Sequence, residues 1–180
     1  MVTKIINGKK ITIRKLSKTD LKNVKKFQDF INSLIEEEAE ILFNTKISLK
    51  EEKKWLGEQL QRIKNHKRVF LLAERDNKVI GTTGVDLMRG RQNHVGGFGI
   101  TIKKGYRGIG LGSYLIGEII KLAKKGLKPK PKIIRLSVFP TNKPALALYK
   151  KFGFKKVAKI PKQIQCKGKL IDEIIILKEL

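Results

Sequence analysis

Apolar residues recur along the chain at two spacings, one typical of strands and the other of helices. Alternating or continuous apolar runs predict seven strands, over residues 10–16, 68–74, 78–87, 93–103, 133–139, 154–160 and 170–177. Helical spacing predicts four helices, over residues 21–34, 48–63, 111–125 and 142–152. Asp20 is expected to cap the first helix, and the Ser48-x-x-Glu51 pattern is a capping box for the second. The resulting order, β-α-α-β-β-β-α-β-α-β-β, predicts an α/β (α+β) protein with a mixed sheet.

Length and composition favour one globular domain over residues 1–180, with 41% hydrophobic and 32% charged residues. Cys166 is the only cysteine, so no internal disulfide can form, and a reducing compartment is expected. Residues 1–10 lack the apolar run of a signal peptide, and no stretch approaches the roughly 18 apolar residues of a spanning helix. A cytoplasmic protein without a membrane partner is therefore expected.

The charge balance is unusual, with 41 Lys and Arg against 16 Asp and Glu, a net charge of +25. Such a balance favours a nucleic acid, an acidic substrate or a polyphosphate ligand as partner. Because the lysines are spread along the whole chain, a solvated basic surface is an equally good interpretation. Contact with nucleic acid is therefore expected only through non-specific charge.

A glycine-rich turn joins the strand that contains Phe98 to the helix that begins near Leu111, with Gly108, Gly110 and Gly112 at alternate positions. Glycines let bare backbone approach a ligand, and a helix N-terminus offers free N–H groups to phosphate. The ATP/GTP loop is excluded because no lysine follows the glycines at the required spacing. The dinucleotide fingerprint also fails, since Ser113 replaces its third glycine.

Two motifs make the chain similar to the GNAT superfamily of acetyl-CoA-dependent N-acetyltransferases. Arg107-x-x-Gly110-x-Gly112 resembles the superfamily's pyrophosphate motif. About 30 residues later, residues 142–154 (NKPALALYKKFGF) match its N-x-x-A-x-x-L-Y-x-x-x-G-F pattern. The resemblance implies a mixed, mostly antiparallel central sheet of about seven strands, flanked by about four helices. It also implies an acyltransferase that moves acetyl from acetyl-CoA to a primary amine by direct attack.

The resemblance assigns most of the cofactor site to backbone groups. Residues 100–102, in the strand predicted over residues 93–103, would pair with the pantetheine amides, and the glycine turn would hold the pyrophosphate. Asn142 would bond to the cofactor, although a helix cap explains it equally well. The implied set is Ile100, Thr101, Ile102, Arg107, Gly108, Ile109, Gly110, Leu111, Gly112, Ser113, Asn142 and Tyr149.

Tyr149 is the candidate catalytic acid. The leaving group is a thiolate, whose parent thiol has a pKa near 8.5, and a phenol of pKa near 10 can donate a proton to it. The resemblance implies the same role for this tyrosine. A tyrosine that only packs its ring in the core is the alternative.

The general base is not evident from the sequence. Where many GNAT relatives carry a glutamate, the matching positions of this chain are Gly96 and Ser137. His94 and Asp86, at strand ends, are the candidates that could take a proton from the amine. Each is equally explained as an ordinary strand-end residue. No metal site is predicted.

The acidic cluster at residues 36–40 is expected near the acceptor, where Glu36 and Glu38 would hold a cationic amine. A solvated helix face is the competing interpretation. The favoured acceptor is a protein or peptide amino group, because no small closed pocket is evident; a polyamine or amino acid is the alternative. A non-catalytic module that binds CoA or nucleic acid is the rival from another class. The oligomeric state cannot be read from the sequence.

Overall fold

One eight-stranded sheet with helices on both faces makes up the fold in the computed structural model, which describes residues 1–180. The strands are β1 (Val2–Ile6), β2 (Lys9–Lys15), β3 (Arg68–Arg75), β4 (Lys78–Leu87), β5 (Val95–Ile102), β6 (Ile133–Val138), β7 (Lys155–Cys166) and β8 (Lys169–Glu179). The helices are α1 (Val24–Glu36), α2 (Leu49–Lys64), α3 (Leu111–Gly126) and α4 (Lys143–Lys151), with two short 3-10 helices at Lys18–Lys22 and Gly90–Gln92. The strand order is β1-β2-β3-β4-β5-β6-β8-β7.

The predicted architecture is confirmed, because every neighbouring strand pair is antiparallel except β5–β6. The predicted count of about seven strands was one too few. The missed strand, β1, is an exposed edge strand whose Ile5 is 79% exposed, so it lacks a buried apolar face. Asn7 and Gly8, with φ of 46° and 71°, form the tight turn that pairs β1 with β2.

The two faces of the sheet carry separate cores. On β3, Leu71 and Ala73 face a 21-residue cluster that includes the buried side of α3. Phe70 and Leu72 face the opposite way, into a nine-residue cluster with α1 and α2. This alternation follows from the two-residue period of a strand. Helices α1 and α2 therefore lie on one face, and α3 on the other.

The first helical segment begins differently from the prediction. Asp20 lies in the 3-10 helix Lys18–Lys22, and α1 starts only at Val24 with Asn23 as its cap residue. Asp20 is 3% exposed, and its carboxylate accepts hydrogen bonds from the Arg14 guanidinium at 2.7 and 2.8 Å. Asp20 therefore ties this turn to β2. The Ser48–Glu51 capping box of α2 is present as predicted.

Strands β5 and β6 diverge, and this divergence positions the site. Their parallel ladder contains only three pairs, from Val95–Ile133 to Gly97–Arg135. On its other side β5 stays paired with β4 up to Ile102. Residues 98–102 therefore have an edge that faces β6 without pairing to it.

None of the helices is both long and apolar enough to cross a membrane. The cytoplasmic location and the division into one domain over residues 1–180 stay predictions.

Candidate active site

A groove of about 710 Å³ opens where β5 and β6 diverge. It is bounded by β5, the glycine turn, the end of β6 and α4, so it brings together segments that are far apart in the sequence. Of the predicted cofactor set it is lined by Ile100, Thr101, Ile102, Arg107, Gly108, Gly110, Gly112, Ser113, Asn142 and Tyr149. Ile109 and Leu111 do not line it, because their side chains pack into the larger core cluster. Only their backbone groups remain for a ligand.

The glycine turn presents a row of free donors to this groove. No backbone N–H from Arg107 to Ser113 donates a hydrogen bond within the chain. Gly108 and Gly110 have φ of 74° and 94°, and a Cβ on either would meet no atom within 4 Å. Such free N–H groups at the N-terminus of the 16-residue helix α3 form an anion site. The turn therefore fits the pyrophosphate of CoA.

Gly112 has a different function from the other two glycines. A Cβ there would lie 3.0 Å from the Leu148 side chain of α4 and 3.4 Å from that of Ile102. The missing side chain lets α3 approach α4 closely. This contact holds the turn against the helix that carries Tyr149.

Arg107 closes one side of the glycine turn. Its Nε donates to the Ile102 carbonyl at 2.6 Å, and its Nη2 pairs with Glu37 just beyond α1. The guanidinium is thus oriented at the mouth of the groove, where it adds positive charge.

Asn142 is the cap of α4, since its Oδ1 accepts a hydrogen bond from the Ala145 N–H at 3.1 Å. It also lines the groove. The cap is therefore present, and a bond to the cofactor stays a prediction.

Tyr149 is 7% exposed and packs its ring edge-to-face on Phe98 of β5, with ring centroids 6.0 Å apart. Burial raises the pKa of its phenol to about 12. The hydroxyl forms no hydrogen bond within the chain, although the residue lines the groove. The phenol therefore keeps its proton at neutral pH, and no acceptor within the chain competes for that proton.

A second cavity of about 690 Å³ lies on the α1–α2 face of the sheet. Its walls are strongly aromatic, with Phe27, Phe30, Phe43, Trp55, Phe70 and Phe98. It shares residues 98–101 of β5 with the groove, together with Ile31 and Phe43. The two cavities therefore meet along the strand that is expected to pair with the pantetheine arm of the donor.

Sequence reasoning missed two charged residues in this second cavity, Glu52 of α2 and Arg68 of β3. Glu52 is 5% exposed and has no hydrogen-bond or ion-pair partner on its carboxylate. A signal was present, because Glu52 precedes Trp55 and Leu56 by three and four positions and so lies on the buried stripe of α2.

The predicted bases are not brought to either cavity. Asp86 pairs with Arg62 at 2.6 Å and faces Arg68 at 3.6 Å. His94 lies just before β5, and its carbonyl accepts from the Lys132 N–H. Neither residue lines the groove or the aromatic cavity, so nothing in the geometry supports these two predictions.

The predicted acceptor carboxylates, Glu36 and Glu38, form ion pairs with Lys46 at 2.7 Å and Lys167 at 2.9 Å. Neither lines the groove or the aromatic cavity. Of the acidic cluster, Glu40 reaches the groove, where it accepts a hydrogen bond from Thr141.

Comparison with known proteins agrees with this geometry. The profile of the acetyltransferase (GNAT) family matches residues 31–154. An acetyltransferase of the GNAT family from Streptococcus pneumoniae is 25% identical, with a TM-score of 0.81 over 94% of this chain and 99% of that one. A GNAT superfamily phosphinothricin acetyltransferase from Sinorhizobium meliloti, solved in complex with acetyl-CoA, is 15% identical, with a TM-score of 0.76 over 94% and 88% of the two chains.

One curated relative is the L-amino acid N-acetyltransferase AaaT of Escherichia coli, 36% identical over 85 residues. The match covers 47% of this chain and 51% of the relative, so the chain spans about half the length of that protein.

The fold, the groove and the family profile together define a GNAT-type acyltransferase. The chain belongs to the GNAT acetyltransferase family. The predicted family is thereby confirmed.

Proposed function

We propose that the protein transfers the acetyl group of acetyl-CoA to the amino group of a small amine that carries a carboxylate, an amino acid or a close analogue. The observation that carries this proposal is the aromatic cavity beside β5, with a guanidinium in its wall. This acceptor replaces the favoured acceptor of the sequence analysis, a protein or peptide amino group, which rested on the lack of an evident small pocket.

The size and lining of the cavity support a small acceptor. Its volume, about 690 Å³, lies within the range of about 300–1,000 Å³ that is usual for small-molecule sites. Phe27 and Phe30 of α1 and Trp55 of α2 supply apolar wall for a side chain. A polyamine would bring several positive charges into a lining that already contains Lys46 and Arg68, so an amino acid fits better.

Arg68 supports a carboxylate on the acceptor. Its guanidinium donates no hydrogen bond within the chain, its Nε is buried without a partner, and Asp86 Oδ2 is 3.6 Å from Nη1. Trp55 and Phe70 flank it, with ring centroids 5.7 and 4.9 Å away. Burial lowers its pKa, because the charge is poorly solvated, although Asp86 opposes this. A planar guanidinium pairs well with a carboxylate.

The name of the curated relative supports the same class of acceptor, since AaaT is an L-amino acid N-acetyltransferase. In the proposed reaction acetyl-CoA supplies an activated acetyl thioester. The free N–H groups of the glycine turn hold its pyrophosphate, and the open edge of β5 orients its pantetheine arm. Tyr149 then donates its phenolic proton to the departing sulfur.

The test compares each L-amino acid with the amine that lacks its carboxylate, such as phenylalanine with 2-phenylethylamine. Thiol release from acetyl-CoA should give a kcat/KM about tenfold or more higher for the amino acid, about 1.4 kcal/mol. Arg68→Met should remove this preference. Arg75→Met is the matched control, because Arg75 ends the same strand and lies outside the cavity.

Equal rates for both amines in the wild-type protein would contradict the carboxylate requirement. Faster acetylation of peptides with free N-termini would restore the protein or peptide acceptor.

A further inference from the structure

The amine acceptor must lose a proton before it can attack a thioester, and the strands that line the site supply no carboxylate for this. A side chain at Gly96 is sterically excluded, because a Cβ there would lie 2.5 Å from the Val85 side chain. Ser137 carries a hydroxyl, which donates to Glu173. A proton acceptor must therefore come from another element.

Glu52 has the required placement. It lies in the first turn of α2 and lines the aromatic cavity. At 5% exposure it is among the few buried charged residues of the chain, and no donor within the chain reaches its carboxylate. A buried carboxylate without a partner is costly, since nothing offsets its desolvation. A ligand with positive charge would supply the missing partner.

The other charged groups that line this cavity face opposite charges or hydrogen-bond donors within the chain, and only Arg68 keeps its own donors unbonded. Glu51 accepts hydrogen bonds from the backbone and hydroxyl of Ser48 at 2.8 and 2.6 Å. Lys46 pairs with Glu36 at 2.7 Å. Arg68 faces Asp86. Glu52 is the one carboxylate of the cavity that remains available to an amine.

We propose that Glu52 is the catalytic base, binding the ammonium group of the acceptor and taking one of its protons. This role rests on the proposed function, because it requires a small amine in the aromatic cavity. In this proposal Glu52 takes the place of a carboxylate on the strands, which neither Gly96 nor Ser137 supplies.

The environment of Glu52 suits this role. Burial raises the pKa of its carboxyl group to about 7. A base whose pKa lies near the working pH is present in its ionised form and still binds the proton strongly enough to remove it.

The proton balance closes over one turnover. Glu52 takes a proton from the ammonium group, which frees the nitrogen lone pair to form the C–N bond while the C–S bond breaks. Tyr149 gives its phenolic proton to the departing sulfur and regains one from the acylated nitrogen. Glu52 passes its proton to water, so one proton is released for each acetyl group transferred.

The decisive variant is Glu52→Gln, which keeps size and removes the base. With an L-amino acid as acceptor, kcat should fall about 10²-fold or more, the usual contribution of a general base. The rise of wild-type kcat between pH 6 and 8 should disappear, and the affinity for acetyl-CoA should stay unchanged. Glu58→Gln is the control, since Glu58 is an exposed residue of the same helix.

A second measurement does not depend on turnover. In protein loaded with CoA, which has no acetyl group to transfer, the 13C carboxyl resonance of Glu52 should titrate near pH 7. Addition of an L-amino acid should move it to the ionised position. A resonance that does not shift when the amino acid is added would overturn the proposal.

If the wild-type protein is active and Glu52→Gln keeps the wild-type kcat and pH profile, this inference alone is overturned. A wild-type protein that releases no thiol with any amino acid would overturn the proposed function, and the base with it. The two failures are therefore distinguished by the wild-type assay.

Discussion

Burial shifts the pKa values of Tyr149 and Glu52 in a way that suits the two opposite roles proposed for them. Burial raises the pKa of Tyr149 to about 12 and that of Glu52 to about 7, because each loses solvation of its charged form. The phenol therefore keeps its proton at neutral pH, whereas the carboxyl group can give its proton up. Two titratable groups whose pKa values are separated in this way are suited to act as acid and base.

Replacement of Tyr149 by phenylalanine tests the acid. We expect Tyr149→Phe to lower kcat about 10²-fold, because the departing thiolate loses its proton donor. The affinity for acetyl-CoA should hardly change, since the ring and its contact with Phe98 remain. Steady-state kinetics together with calorimetric titration of CoA would measure both quantities.

The pH profile adds a second criterion for Tyr149. Because its pKa is about 12, no loss of wild-type kcat from phenol ionisation should occur below pH 10. Tyr114→Phe is the control, as Tyr114 lies on α3 outside both cavities. An unchanged kcat in Tyr149→Phe would mean that Tyr149 only packs its ring in the core.

At the scale of elements, the turn between β5 and α3 depends on backbone conformation. Gly110 is the N-cap of α3 with φ of 94°, a region that costs other residues about 1–2 kcal/mol. Gly110→Ala should therefore lower the free energy of unfolding by about that amount. It should also weaken acetyl-CoA binding about tenfold, or 1.4 kcal/mol, because the new methyl group would project into the space of the ligand.

The control for Gly110→Ala is the same substitution inside a helix. Gly57 lies in α2 with ordinary helical φ, and a Cβ there meets no atom within 4 Å. Gly57→Ala should stabilise the protein by about 0.5–1 kcal/mol and leave binding unchanged. Thermal unfolding with and without CoA would separate the two variants. Equal CoA affinity in both would remove the turn from the cofactor site.

The elements that sequence could predict are those whose signals are local. The Ser48–Glu51 pattern marked the start of α2, and Asn142 with Pro144 marked that of α4, because capping involves residues a few positions apart. β1 was missed because its five residues are exposed or half-buried and its pairing depends on β2. The Asn7-Gly8 turn was the only local signal for it.

The two halves of the site also differ in how far the sequence could predict them. The cofactor groove could be predicted, since its donors occupy one contiguous turn and one capped helix. The acceptor cavity could not, because Glu52 and Arg68 acquire their environment only when α1, α2 and β3 meet. The acidic cluster at residues 36–40 was instead predicted to bind the acceptor, because it is unusual in a basic chain. In the structure Glu36 and Glu38 pair with surface lysines.

At the scale of the whole molecule, the basic residues behind the charge of +25 are spread along the whole sequence. Exposed lysines occupy both edges of the sheet, for example Lys4 on β1 and Lys155 and Lys156 on β7. A dispersed positive charge attracts polyanions but offers them no single binding site. The site that fits an anion closely is instead the glycine turn at the start of α3.

We therefore expect nucleic-acid binding to be weak and independent of sequence. Two unrelated DNA duplexes should bind equally at 50 mM salt, and with about six phosphate contacts their affinity should fall about 10³-fold by 200 mM. Acetyl transfer to an amino acid should change far less over this range, because the acceptor carries no net charge and the donor is held by directed N–H groups. Fluorescence anisotropy and thiol release, measured in the same buffers, would compare the two. Binding that persists at 500 mM salt or favours one duplex would instead make nucleic acid a specific partner.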